Sequence, residues 1–263
     1  MAAPALFVGH GSPMNVLRDN AWTRAWSEVG SAISPRAVLC VSAHWYGPGI
    51  RITAMAEPRT IHDFGGFPEE LYRIRYPAPG APELAGRVRE LLARTPVEAD
   101  DEWGLDHGAW SVLWHMFPQA NVPVAQLSLD SRLTPAQHCE LARRLAPLRA
   151  EGVLVLGSGN LVHNLREYDW SGRAGRPAEW AARFEARILP LIEAVDVATL
   201  GDYASPGADA RRAVPTPEHF LPLLYVLALA GTGDRVSFPA CGFDGGTISM
   251  LSVRVGQGPV RTG

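Results

Sequence analysis

The stretch AVLCVSA at Ala37–Ala43 is a short apolar run without polar alternation, and His44 follows it at once. Three further runs are mainly apolar in the same way: ALFVG at Ala5–Gly9, VPVAQLSL at Val122–Leu129 and VLVLG at Val153–Gly157. Runs of this length, bounded by glycine, serine or proline, are typical of strands in a sheet that is covered on both faces. The four runs therefore predict the centre of a largely parallel β-sheet.

Helical periodicity lies between the predicted strands. The helical segments are Trp22–Val29, Pro82–Arg94, Trp110–Met116, Pro135–Arg149, Ala178–Ala194 and Pro217–Ala230. Arg51–Met55 and Ile248–Val255 alternate in polarity, which predicts outer or antiparallel strands. This alternation of strand and helix favours an α/β fold, with a largely parallel or mixed sheet covered by helices on both faces. Without repeats or low-complexity linkers, we expect one catalytic domain over residues 1–263, with Asp196–Pro215 as a long surface loop.

The composition argues against several function classes. A net charge of −3 with scattered basic residues offers no footprint for nucleic acid or for a membrane surface. No apolar stretch reaches membrane-spanning length. Cys40, Cys139 and Cys241 are too far apart for a zinc knuckle or a disulfide framework, so a reducing compartment is expected. Because the N-terminal residues lack the basic segment of a signal peptide, we expect a cytoplasmic protein.

Four histidines lie at predicted strand ends or helix starts: His10, His44, His163 and His219. In open α/β sheets the ligand crevice lies beyond the carboxyl ends of the strands, and three of the four follow such ends. Thr216 as N-cap and Pro217 as first helical residue would place His219 on a rigid helix. The glycines at Gly157 and Gly159 predict a helix whose first turn carries His163. Convergence would make a metal pocket, whereas each histidine taken alone is also compatible with a structural turn, core-edge or helix-start role.

Aromatic and acidic residues surround these histidines in the sequence. Trp45 and Tyr46 directly follow His44 and suit the wall of a flat ring site, or an ordinary core edge. Asp106 and His107 indicate a further helix entry with an acid/base or supporting role. The glycine-rich loop IHDFGGFP at residues 61–68, which carries His62 and Phe64, is a candidate lid. The remaining histidines, His115 and His138, are expected to be structural or solvated. No Walker or complete dinucleotide-binding glycine motif is present, so nucleotide binding is weakly supported.

With these motifs together, the chain resembles the class III extradiol ring-cleaving dioxygenases, and within them the 4,5-DOPA extradiol branch. The resemblance rests on GHGSPMN at Gly9–Asn15, SAHW at Ser42–Trp45, IHDFGGFP at Ile61–Pro68, DHGAW at Asp106–Trp110, QLSLD at Gln126–Asp130, SGNLVHN at Ser158–Asn164 and PTPEHFLPLLYVL at Pro215–Leu227. It implies that His10, His44 and His219 are metal ligands, that His163 is either a further ligand or an acid/base, and that His107 lines the substrate pocket.

One departure from the family pattern concerns the third ligand. The wider superfamily binds Fe(II) with two histidines and a carboxylate, whereas His219 occupies the matching position here and Glu218 precedes it. The resemblance therefore implies one divalent metal per chain, either Fe(II) for activity or Zn(II) as bound.

The resemblance also predicts the reaction and its partners. We expect O₂-dependent opening of a catechol ring, with His163 or His107 taking a hydroxyl proton. We expect the substrate to be bound by Trp45, His62 and Phe64. The protein itself is expected to be a monomer or a homodimer. The alternatives are a zinc-dependent hydrolase with the same histidine-rich site and a metal-storage or binding protein.

Overall fold

Strands and helices alternate along a computed structural model that describes residues 2–203, 205 and 207–257. In chain order the strands are β1 (Ala5–Gly9), β2 (Ala37–Gly47), β3 (Ile50–Thr53), β4 (Val97–Asp100), β5 (Val124–Asp130), β6 (Val153–Gly159), β7 (Arg235–Ala240), β8 (Phe243–Asp244), β9 (Ile248–Ser249) and β10 (Ser252–Gly256). The helices are α1 (Ala21–Ser31), α2 (Glu69–Arg73), α3 (Pro82–Leu91), α4 (His107–Met116), α5 (Pro135–Arg144), α6 (Pro147–Ala150), α7 (Glu179–Glu193), α8 (Val197–Leu200), α9 (Ala208–Ala213) and α10 (Leu221–Ala228). A 3-10 helix spans Pro13–Leu17.

One eight-stranded sheet, in the order β4-β3-β5-β2-β6-β1-β10-β7, forms the centre of the molecule. Its four middle strands, β5, β2, β6 and β1, pair in parallel. On one side β10 and β7 continue the sheet in antiparallel fashion, and on the other side β3 runs antiparallel to β5. The predicted α/β fold with a mixed sheet is therefore confirmed.

Successive side chains of the middle strands enter two separate cores. In β1, Phe7 packs into the core that also contains residues of α3, α5, α7 and α10. Its neighbours Leu6 and Val8 pack into the opposite core, with residues of α1, α2 and α4. The same alternation places Leu39 of β2 on the first face and Cys40 on the second. Period-two side-chain orientation thus explains why the middle strands are apolar throughout.

The outer parts of the sheet differ from the sequence prediction. The edge strands β4 and β7 were not predicted, because both are short and partly exposed and lack a continuous apolar run. The strand predicted at Arg51–Met55 as outer or antiparallel is β3, which does run antiparallel to β5 but is not outermost, since β4 pairs along its other side. The strand predicted at Ile248–Val255 is divided into β9 and β10, and β10 runs antiparallel to β1 as expected for that segment.

Two predicted helix starts are wrong. Gly157 and Gly159 complete β6 instead of opening a helix, and a Cβ at Gly159 would collide with the carbonyl oxygen of His219. The helix predicted from Pro217 begins only at Leu221. The hydroxyl of Thr216 lies 2.7 Å from Oε1 of Glu218 and makes no capping bond, so the residues up to Phe220 form a turn. His219 therefore lies in a turn that packs closely against a strand end.

The segment predicted as a long surface loop, Asp196–Pro215, contains α8 and α9 in its described part. Leu200, Ala210 and Ala213 are buried there, which the polar composition concealed. Within the part of the chain that the structure describes, no helix has the length and apolarity to cross a membrane.

Candidate metal centre and active site

His10 directly follows β1 and is 1% exposed. Its Nδ1 lies 3.0 Å from Oγ of Ser158. That hydroxyl donates its one proton to the carbonyl oxygen of Gly108, at 2.6 Å. The hydroxyl can therefore only accept from His10, so Nδ1 carries the ring proton and Nε2 keeps a lone pair.

His44 lies within β2, where the pairing register with β5 shifts between Val41 and Tyr46. The strand thus continues past the predicted end, and an irregularity of this kind redirects side chains at a sheet edge. Nδ1 of His44 lies 3.1 Å from Oδ2 of Asp63, and its Nε2 lies 3.1 Å from Nε2 of His10. Burial alone lowers the pKa of His44, but the nearby carboxylates, Asp63 first, hold that pKa above its ordinary value.

His219 supplies the third imidazole and is 7% exposed. Its Nδ1 lies 3.3 Å from Oε1 of Glu218, whereas its Nε2 is buried and has no hydrogen-bond partner among the described residues. A buried polar atom without a partner costs about 1–3 kcal/mol, so a ligand bound at this nitrogen would remove that cost.

The three imidazoles fit a divalent metal ion. One nitrogen from each of His10, His44 and His219 lies within 4.8 Å of the others. Burial first, and then the neighbouring imidazoles, lower the pKa values of His10 and His219 well below the ordinary value. Metal binding requires neutral imidazole, and nitrogen donors suit both iron and zinc. The donor set therefore matches a single-metal site, with Glu218 hydrogen-bonded to His219 and outside the donor cluster.

His163 lies beside this cluster and is absent from the groups of mutually close donor atoms found among the described residues. Its ring stacks on the ring of His219, with centroids 3.6 Å apart. Burial, together with the charge of His44, lowers the pKa of His163 to about 4. A neutral imidazole next to the cluster can accept or relay a proton.

His107 is the first residue of α4, and its ring centroid lies 3.9 Å from that of His44. Its Nδ1 is 3.0 Å from Oδ1 of Asp63, and its backbone nitrogen donates to the same oxygen at 2.9 Å. Burial and the charge of His44 lower the pKa of His107, against the effect of Asp63. The ring of His107 also lies 5.5 Å from that of His10, so the structure brings this predicted pocket residue into the site.

Asp63 is the residue of the site that sequence reasoning missed. It lies between His62 and Phe64 in the loop at residues 61–68, whose glycine and aromatic residues predicted a lid and no role for the carboxylate. Burial raises the pKa of Asp63, but hydrogen bonds from His107 and His44 outweigh burial and hold the pKa well below its usual range. Its role follows only from the folded structure, which places the carboxylate between His44 and His107.

Asp106, a predicted acid/base or supporting residue, is fully buried as the N-cap of α4. Its Oδ1 accepts from the hydroxyl of Ser42 at 2.7 Å and from the backbone of Ala109 at 3.1 Å. The side-chain amide of Gln126 donates to its other oxygen. These bonds assign Asp106 to fixing the start of α4, and hence the backbone of His107.

The aromatic residues predicted to bind substrate have different surroundings. The ring of Phe64 lies 5.5 Å from that of His107, edge to face, and the ring of His62 lies 5.7 Å from that of Phe64. Trp45 instead stacks on Trp103, with ring centroids 5.1 Å apart. Phe64 is therefore the aromatic side chain that the loop brings to the histidines.

The fold and the site together describe an α/β protein with a candidate mononuclear metal centre at the carboxyl ends of its parallel strands. Residues 4–255 match the family described as the catalytic LigB subunit of aromatic ring-opening dioxygenase, and the chain belongs to this family. The membership favours the dioxygenase over the zinc hydrolase and over the metal-storage protein. The chain is an extradiol ring-cleavage dioxygenase.

Known relatives agree with this membership. The chain is 48% identical to a 4,5-DOPA dioxygenase extradiol of Escherichia coli (strain K12), over 96% of this chain and 94% of the relative. It is 36% identical to a protein of the same name from Beta vulgaris, over 94% of each chain. A crystal structure of an uncharacterized protein from Escherichia coli K12 superposes with a TM-score of 0.85 at 44% identity, covering 97% of this chain and 100% of that chain.

Proposed function

We propose that the chain opens the ring of a DOPA-like catechol with O₂ at one divalent metal ion held by Nε2 of His10, His44 and His219. The main support for the proposal is that these three imidazoles converge, each with a side-chain oxygen next to its Nδ1 that can accept a hydrogen bond. When bound, Fe(II) supplies Lewis acidity toward the diol and electrons toward O₂, whereas Zn(II) has no accessible redox change. We therefore propose Fe(II) as the active metal and Zn(II) as an inactive occupant.

Two imidazoles remain for moving protons. We assign His107 to accepting a catechol hydroxyl proton, because the Asp63 carboxylate at its Nδ1 stabilises the imidazolium that forms. His163 lies on the other side of the cluster, against His219, and is neutral at working pH. We assign it to a second proton transfer, to or from the substrate as the ring opens.

The loop at residues 61–68, named the aromatic loop from here on, orients the substrate and excludes water. Phe64 packs edge to face against Phe67 at 5.3 Å and lies 5.2 Å from Tyr72, so its ring is supported from behind while it borders His107. We propose that Phe64 and His62 contact the catechol ring. Trp45, stacked on Trp103, is assigned to supporting the strand that carries His44.

Oxygen uptake tests the proposal. The metal-free protein is reconstituted anaerobically with Fe(II), mixed with a panel of catechols that includes DOPA, and then exposed to O₂. We expect one O₂ consumed per catechol and a yellow ring-fission product, with no turnover by the Zn(II) form. Absence of uptake and of chromophore across the panel would exclude the proposed function. His10→Ala and His44→Ala should lose the bound metal in the same experiment.

A further inference from the structure

The Asp63 carboxylate joins two imidazoles that have different proposed tasks. Its Oδ2 lies 3.1 Å from Nδ1 of His44, and its Oδ1 lies 3.0 Å from Nδ1 of His107. The backbone nitrogen of His107 donates to that same Oδ1 at 2.9 Å. One side chain, 19% exposed, thus receives three hydrogen bonds from both parts of the candidate site.

These contacts determine which ring nitrogen carries the proton. An ionised carboxylate has only acceptor sites, so the Nδ1 atoms of both His44 and His107 must carry protons. In the neutral rings that metal binding requires, each Nε2 then has a lone pair, which in His44 faces the cluster formed with His10. Metal-binding histidines commonly depend on such an acceptor at the remote nitrogen.

Asp63 also ties this arrangement to the aromatic loop. The neighbouring residue Phe64 borders His107, and the carbonyl oxygen of Ile61 accepts from Nε1 of Trp110 at 2.8 Å. The loop is therefore attached to α4 at two points, Ile61 and Asp63. Moving the loop away from α4 would remove the shared acceptor from both imidazoles at once.

We propose that Asp63 is a positioning residue that fixes the tautomers of His44 and His107 together. Packing of the loop at residues 61–68 against α4 and assembly of the site are then a single event. The inference rests on the ligand role proposed for His44. A different arrangement, in which His44, Asp63 and His107 bind a second cation, uses the same donor atoms. The backbone N–H of His107, which donates to the same Oδ1 as the His107 ring, favours the hydrogen-bonded arrangement, in which Asp63 accepts from three N–H groups.

The near-isosteric variant Asp63→Asn tests the proposal through metal affinity. The two Nδ1 atoms face different oxygens of Asp63, and in the amide one of these positions becomes an NH₂ donor, so one imidazole must move its proton to Nε2 to keep a hydrogen bond there. We expect Zn(II) affinity, measured by chelator competition, to fall by about 10- to 100-fold. In the Fe(II) enzyme kcat should fall while KM for the catechol changes little. Asp101→Asn, at an exposed carboxylate, is the matched control and should behave as the wild type.

The tautomers can be read directly in the unaltered protein. In Zn(II)-loaded protein with ¹⁵N-labelled histidine, we expect protonated Nδ1 atoms at His44 and His107, assigned with the His44→Gln and His107→Gln variants. This measurement does not depend on the folding of Asp63→Asn. A proton on Nε2 of His107 in the wild type would overturn the proposal.

Two further results would overturn it. One is wild-type metal affinity together with wild-type kcat in Asp63→Asn. The other is binding of two metal equivalents by the wild type and one by Asp63→Asn, since Asp63 would then be a ligand. Failure of the proposed ligand role of His44 can be distinguished from these results, because His44→Ala would then keep wild-type metal affinity. If His44→Ala loses the metal and Asp63→Asn does not, only the inference about Asp63 fails.

Discussion

The imidazole rings of His163 and His219 are stacked, with centroids 3.6 Å apart and planes inclined by 5°. The lone pair of an imidazole nitrogen lies in the plane of its ring. Stacked, nearly parallel rings hold their lone pairs in separate planes, so His163 and His219 would not direct nitrogen lone pairs at one common point. The stack favours an acid/base role for His163 over a fourth ligand role.

His163→Gln should therefore separate catalysis from metal binding. We expect the variant to keep one metal equivalent while kcat falls by about 10²- to 10⁴-fold, the usual contribution of a positioned acid/base group. Metal analysis and turnover of the same preparation check this. Loss of the metal from His163→Gln, to the degree seen in His10→Ala, would instead make His163 a ligand.

Glu218→Gln tests the identity of the third ligand. Because Glu218 contacts Nδ1 of His219 and the amide oxygen of glutamine can still accept there, the variant should keep the metal, with affinity lowered by about 10-fold. His219→Ala should lose the metal. Equilibrium competition with a chelator measures both variants, and the reverse ranking would place the carboxylate in the ligand set.

Phe64→Leu tests the substrate-facing role of the loop. An aromatic pair contributes about 0.5–1.5 kcal/mol beyond its buried area, so we expect KM for a catechol to rise by roughly 2- to 10-fold. Metal content should not change, because Phe64 has no ligand atom and its ring borders His107 and not one of the proposed ligands His10, His44 and His219 in the ring contacts of the described residues. An unchanged KM in steady-state assays would show that the ring of Phe64 does not contact the substrate.

A histidine away from the site predicts a pH-dependent stability. His138 is fully buried, with Nδ1 3.0 Å from the hydroxyl of Tyr225 and Nε2 3.2 Å from the carbonyl oxygen of Asp130. Burial lowers the pKa of His138 to about 4, against an unfolded value of about 6.5. The unfolded chain therefore binds the proton first, and the stability that neutral His138 contributes above pH 6.5 is lost as the pH falls toward 4.

Denaturant unfolding of the wild type and His138→Gln at several pH values measures this contribution. Since one pKa unit corresponds to 1.36 kcal/mol, the stability advantage of the wild type should shrink by about 2–3 kcal/mol between pH 8 and pH 4.5. The subtraction cancels the titration of the other histidines, which both proteins share. A difference that does not vary with pH would mean that His138 titrates alike in the folded and unfolded chains.

The sequence was informative where one local rule determines position. His10 could be placed because a histidine directly after a buried parallel strand must lie at the carboxyl edge of the sheet. Asp63 could not be found in this way, since its partners His44 and His107 are joined to it only by tertiary contacts. The start of α10 was misplaced because the hydroxyl of Thr216 contacts Glu218 and makes no cap. Local signals predicted the four middle strands, whereas the edge strands and the loops that complete the site depended on long-range packing.

The fate of the oxygen atoms is the most direct test of ring opening with O₂ at this site. The Fe(II)-reconstituted protein is given a catechol under ¹⁸O₂, and the product is reduced at once with borohydride to prevent exchange at the aldehyde. We expect a ring-opened product that carries two ¹⁸O atoms. A product without ¹⁸O from O₂, or one labelled only when the water carries ¹⁸O, would contradict ring opening by a dioxygenase at this site.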